Sequence, residues 1–177
     1  MKREFISPRF ITLTWMILIV AFTRLIPHYP NFTAIGAMAL FGGAYFTNKK
    51  LAFIVPFVAM FLTDLILGFH TTMWAVYLSF AIMVLIGIEL RHKVRTKNIL
   101  LAGIVASVIF FIITNFAVWA TGLMYPTNFA GLAESYIAGI PFFGYTLSGT
   151  LFYSTVLFGS FELIKSKFPK LAVVKVQ

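Results

Sequence analysis

Two charged residues stand where an apolar chain tolerates them least. Arg24 closes an apolar stretch that opens at Phe10, and Asp64 lies inside another that starts at Leu51. An ionised group near mid-bilayer costs about 2.5–3.5 kcal/mol on insertion scales, and such groups almost always face a bundle interior and pair. An Arg24–Asp64 pair is therefore expected. It could lock helices together, or it could floor a pocket. Other groups able to hold a ligand stand close in sequence: His28 and Asn31 in the turn RLIPHYPNF, His70 in TDLILGFH, and Asn115 inside a later apolar run. Trp119, Tyr125 and Phe142, with Phe143 and Tyr145, could supply aromatic walls, as small-molecule sites commonly use. The candidate ligand-binding set is thus Arg24, His28, Asn31, Asp64, His70, Asn115, Trp119, Tyr125 and Phe142. Each member has a plainer reading too, since single histidines and aromatic belts are ordinary at membrane interfaces.

The chemistry these residues suggest is binding. The chain has no cysteine and only five acidic residues. It carries no GxxxxGK[ST], GxSxG or HExxH motif and no pair of carboxylates placed for acid–base work. No enzyme activity, catalytic residue, metal ligand or cofactor is expected.

The elements that must position this set follow from composition. The 177 residues are 60% hydrophobic and 11% charged, where soluble domains carry about 25% charge. Apolar runs broken by Pro, Gly and polar turns give six spans in a single domain of residues 1–177: 10–26, 33–47, 51–68, 72–90, 99–125 and 141–164, with a frayed tail over 165–177. All but one of the 14 basic residues then fall on one face: Lys2, Arg3 and Arg9, Lys49 and Lys50, the cluster Arg91, Lys93, Arg95 and Lys97, and Lys165, Lys167, Lys170 and Lys175. By the positive-inside rule that face is cytoplasmic, with both termini on it. The net charge of +9 is thereby a topology signal and requires no nucleic-acid partner.

Counting about 1.5 Å per residue from that face puts Arg24, Thr33, Asp64, Tyr77, Asn115 and Thr150 at one level, roughly 21–24 Å deep. Span two is too short to cross, and Asn31 is the expected N-cap of its helix. Irregular backbone at its outer end would have to be buried in protein or line a cavity. Residues 126–140 carry a helical apolar stripe through Phe129, Leu132, Ala133, Tyr136, Ile137 and Ile140, with Glu134 and Ser135 facing away. That pattern suits an interfacial helix or a lid. Ala39 and Gly43 belong to a small-xxx-small series, which serves internal packing or a partner-docking face.

The segments RLIPHYPNFTAIGAMALFGGAYF, LAFIVPFVAMFLTDLILGFHTTMWAVYLSF, FFIITNFAVWATGLMYPTNFAGL and PFFGYTLSGTLFYSTVLFG, covering nearly the whole chain, resemble a family of small bacterial membrane proteins of unknown function, expected to act in transport. That family is similar in turn to the S components of energy-coupling factor (ECF) transporters. The resemblance implies an all-α six-helix bundle in the bacterial inner membrane. It further implies an outward-facing pocket for a vitamin or related micronutrient, and ECF-type partners, a transmembrane subunit and ATPases, that would dock on Ala39 and Gly43. The chain departs from the S-component pattern in having only Ala21 in the outer half of span one, and Thr150 where an acid follows the span-six glycine. Two other classes fit the same composition: a structural membrane scaffold, and a stand-alone ion- or proton-linked carrier using Asp64 and the histidines.

Overall fold

The computed structural model describes residues 7–172; Lys2, Arg3 and Lys175 of the basic face lie outside them. Among the described residues the chain forms six α-helices and no strand. These are α1 (Pro8–Phe22, continued by a 3-10 turn over Thr23–Leu25), α2 (Ile35–Tyr45), α3 (Lys49–Leu67), α4 (Met73–Leu90), α5 (Thr96–Ala120) and α6 (Phe129–Lys167). Five are long and apolar enough to cross a membrane, and α2 is the short one. Their outward faces stay apolar, with Trp15, Ile19, Ile66, Leu101 and Leu163 all more than half exposed. A surface of that kind calls for lipid or protein around it.

The fold is built around α2. Its 11 residues span about 16 Å. It is hydrophobic on every side, and every one of its residues is buried, as such a helix requires. Helices α1, α3, α4, α5 and α6 all pack on it. The approach to α4 is backbone on backbone. A Cβ on Gly43 would meet the Val84 carbonyl and lie 2.7 Å from the Gly87 Cα, and one on Gly87 would lie 2.9 Å from the Leu40 Cα. On the α3 side Gly42 sits against the Pro56 ring and the Ala52 carbonyl. That carbonyl is the one Pro56 leaves without its helical donor.

A short buried helix has a termination problem, because its last carbonyls lack helical partners. Here two arginines supply the donors. Arg91 reaches the carbonyls of Gly43 (3.1 Å), Phe46 (2.5 Å) and Thr47 (3.0 Å). Arg9 donates to the Tyr45 carbonyl at 2.8 Å and to that of Leu171 at 2.5 Å. Two cations at the negative end of the helix dipole are also electrostatically favourable. Part of the basic face is thus internal architecture. The tail, expected to fray, begins with a packed 3-10 turn (Pro169–Leu171) whose Leu171 is buried.

Several boundaries differ from the sequence reading. Asn31 does not cap α2. It adopts a left-handed conformation (φ 63°) in the turn before it, and the helix starts after Ala34 with no side-chain cap. The turn backbone at Phe32–Thr33 is held by α6, where a Cβ on Gly149 would lie 2.9 Å from the Thr33 nitrogen. Helix α5 ends at Ala120, ahead of Gly122 at φ 66°. The largest difference is at residues 126–140. They form neither a separate interfacial helix nor a lid, because Asn128 caps a helix that runs unbroken through Pro141 to Lys167. Proline is tolerated inside such helices when neighbours re-satisfy the backbone. Ser135 is buried, and the apolar stripe through Phe129, Ile137 and Ile140 faces outward.

Candidate functional site

The end of the bundle away from the arginine-capped terminus of α2 holds a cavity of about 600 Å³. Its rim is formed by His28, Pro30 and Asn31 before α2, by His70 and Thr72 between α3 and α4, and by Met124 and Tyr125 between α5 and α6. Deeper in, Thr33, Ile35 and Gly36 at the start of α2 face Met83, Thr146 and Thr150. The side walls are a stripe of α5 (Phe110, Phe111, Thr114, Asn115, Val118) and a stripe of α6 (Ser135, Ala138, Gly139, Phe142, Phe143, Thr146, Thr150).

At the cavity wall the expected ion pair is present. Arg24, in the 3-10 turn after α1, donates from Nη2 to Oδ1 of Asp64 on α3 at 2.7 Å. Its Nη1 donates to the Thr63 hydroxyl at 2.5 Å and, more weakly, to the Met60 carbonyl at 3.4 Å. The Tyr77 hydroxyl on α4 donates to the other carboxylate oxygen at 2.8 Å. The pair thereby ties α1, α3 and α4 together. Only 9% of the Arg24 side chain and 3% of the Asp64 side chain remain exposed. Arg24 lines the cavity, Asp64 lies behind it, and the buried Arg24 Nε has no partner among the described residues.

The polar groups of the wall are prepared by their neighbours. Asn115 donates one amide hydrogen back to the Phe111 carbonyl at 2.8 Å. It rests against Gly139, where any Cβ would collide with its carboxamide. His28 donates from Nδ1 to the Ile26 carbonyl at 2.6 Å. The carbonyl can only accept, so the Nε2 of a neutral His28 is left as an acceptor. His70 Nδ1 lies 3.1 Å from the Thr72 hydroxyl. Tyr29 stacks on Tyr145 with centroids 5.3 Å apart, fixing the re-entrant turn against α6.

Of the sequence-derived candidates, Arg24, His28, Asn31, His70, Asn115, Tyr125 and Phe142 all line the cavity. Asp64 and Trp119 do not. Trp119 donates its indole N–H to the carbonyls of Pro126 and Asn128 at 3.0 and 3.1 Å, pinning the α5–α6 connection. Ala39 and Gly43, expected on a docking face, are enclosed by the bundle, with Gly43 pressed on the α4 backbone. They are packing residues and present no surface to a partner. Sequence reading found Phe142, Phe143 and Thr150 of the α6 wall and missed Ser135, Ala138, Gly139 and Thr146. The signal was present, since Ser135, Gly139, Phe142, Thr146 and Thr150 follow the 3.6-residue period. It becomes visible only when the helix is read through Pro141.

An all-helical bundle with an apolar exterior, a central buried helix and a polar-edged cavity at one end defines the class: a polytopic helical protein of membrane type. Within that class the chain belongs to the family of unknown function DUF6580, whose model matches residues 5–171. No curated protein and no solved structure matches it.

Proposed function

We propose that this protein binds a small organic molecule from outside the cell and serves in its uptake, as the binding component of an importer of the bacterial inner membrane. The observation that carries this reading is the cavity of about 600 Å³ at the bundle end opposite Arg9 and Arg91. Ligand pockets commonly occupy about 300–1,000 Å³, with apolar walls and a few placed polar groups. The positive-inside rule sets the basic end, with both termini, in the cytoplasm and turns the cavity outward. The chain has no nucleotide-binding loop of its own. Uptake driven by ATP would therefore need a partner that hydrolyses it, as an ECF-type transmembrane subunit with its ATPases would.

Native mass spectrometry of the full chain, purified in mild detergent, tests the reading. The wild type should retain a small molecule, and Ala138→Phe, which fills the cavity from its α6 wall, should lose it at an unchanged unfolding temperature. A wild type that carries nothing and responds to no added metabolite pool would favour a scaffold role.

A further inference from the structure

The two ends of α2 are treated unequally. Its C-terminal carbonyls meet two guanidinium groups. Its own first turn carries no acid, and its N-cap Ala34 supplies no side-chain cap. The first bond of its ladder runs from the Met38 N–H to the Ala34 carbonyl, so the N–H groups of Ile35, Gly36 and Ala37 precede it. Such groups, with the positive end of the helix dipole, form a ready anion site. Ile35 and Gly36 line the cavity, so this uncapped terminus faces it.

A second observation is independent of the helix. The charged lining of the cavity has one sign. Arg24 is its one formally charged member, the imidazoles of His28 and His70 line it as well, and among the described residues no Asp or Glu does. Asp64 is held behind Arg24 with both oxygens engaged by Arg24 and Tyr77. Arg24 itself is nine-tenths buried and keeps an unpartnered Nε. Beside α2, the Thr150 side chain is in contact with the first turn, its hydroxyl 2.6 Å from where a Gly36 Cβ would be. A hydroxyl, helix amides and an arginine thus border one cavity whose other walls mix aromatic, aliphatic and polar side chains.

We propose that the ligand is a small organic acid: a carboxylate head directed to the start of α2 beside Thr150 and Arg24, and an apolar or aromatic body along Phe110, Phe111 and Phe142. This inference rests on the reading of the cavity as a binding site and specifies its substrate class.

The test uses the full wild-type chain with three probes that share one body: 3-phenylpropanoate, 3-phenylpropanamide and 3-phenylpropylamine. Binding is followed by thermal shift and by native mass spectrometry, alongside the charge of any co-purified compound. The acid should bind at least ten-fold more tightly than the amide, the amine should not bind, and a co-purified compound should itself be an acid. Preference for the amide or amine, or a neutral or cationic co-purified compound, would overturn the anion assignment while leaving small-molecule binding intact. Failure of all three probes with nothing co-purified would overturn both. In Thr150→Asp the new carboxylate should cap α2, raise the unfolding temperature and weaken the acid probe ten-fold or more, with the amide unaffected. Unchanged acid binding in a folded Thr150→Asp would also overturn the assignment. If that variant does not fold, the probe selectivity of the wild type decides alone.

Discussion

Arg24 and Asp64 are each tolerable only because of the other. Removing one member of a buried pair strands a charge, at a cost of about 3–5 kcal/mol. Asp64→Asn should accordingly lower stability in detergent by that order, and the double variant Arg24→Gln/Asp64→Asn should recover much of it. Thermal unfolding decides, and an equally unstable double variant would show that Asp64 acts through something other than Arg24. Tyr77→Phe removes one hydrogen bond to a carboxylate and should cost about 1.5–3 kcal/mol. This pair was legible in the sequence because burying a lone charge is so unfavourable that a second charge at equal depth almost names its partner. The roles of Arg9 and Arg91 were not legible. They bond to backbone carbonyls, which every residue has, so no partner side chain marks the contact in sequence.

Glycines in the helices divide by what faces them. Gly43 opposes backbone, which cannot swing aside, whereas Gly159 has nothing within 4 Å. Gly43→Ala should separate α2 from α4 and cost about 1–3 kcal/mol, the usual range for overpacking, while Gly159→Ala should be neutral or slightly stabilising, as alanine in a helix generally is. Equal unfolding temperatures for the two variants would contradict the close approach. At Gly149 the added methyl would press on the Phe32–Thr33 backbone. Gly149→Ala should therefore loosen the re-entrant turn and weaken binding of the retained ligand more than it lowers stability. Small residues at four-residue spacing were readable as close helix contacts, though not which helix they meet. The proline at position 141 misled in the other direction. A lone proline ends a helix in water more readily than in a packed apolar bundle, and the helix across it hid the part of the cavity wall made by Ser135, Ala138 and Gly139.

At the scale of the molecule, the number of helices and their apolar character were readable because hydropathy and length suffice for that. The cavity as a shape was not, since it depends on how far α2 falls short and where its two ends are held. Orientation can be checked directly, the chain having no native cysteine. Single cysteines at Asn48, Lys97 and Asn128 should react with impermeant reagent from opposite sides: the first two from the cytoplasm, the third from outside. Labelling of position 128 from the cytoplasm would reverse the proposed direction of the cavity. Helix α6, with 39 residues and about 58 Å of length, exceeds a hydrocarbon core of about 30 Å. Its N-terminal turns beyond Asn128 should therefore react from outside as well.

The short central helix also bears on how the protein is made. With about half the length needed to span, α2 is a poor substrate for insertion on its own. Its lower carbonyls wait for Arg91, which leaves the ribosome 45 residues after Phe46. Until α4 and that arginine have been synthesised, α2 has neither its packing surface nor its cap, so its seating must be a late event in biogenesis. Ribosome-arrested chains carrying Met38→Cys should stay open to modification when they end before α4, and become protected together once Arg91 has emerged. Protection in the shorter chains would mean that α1 and α3 suffice to seat it.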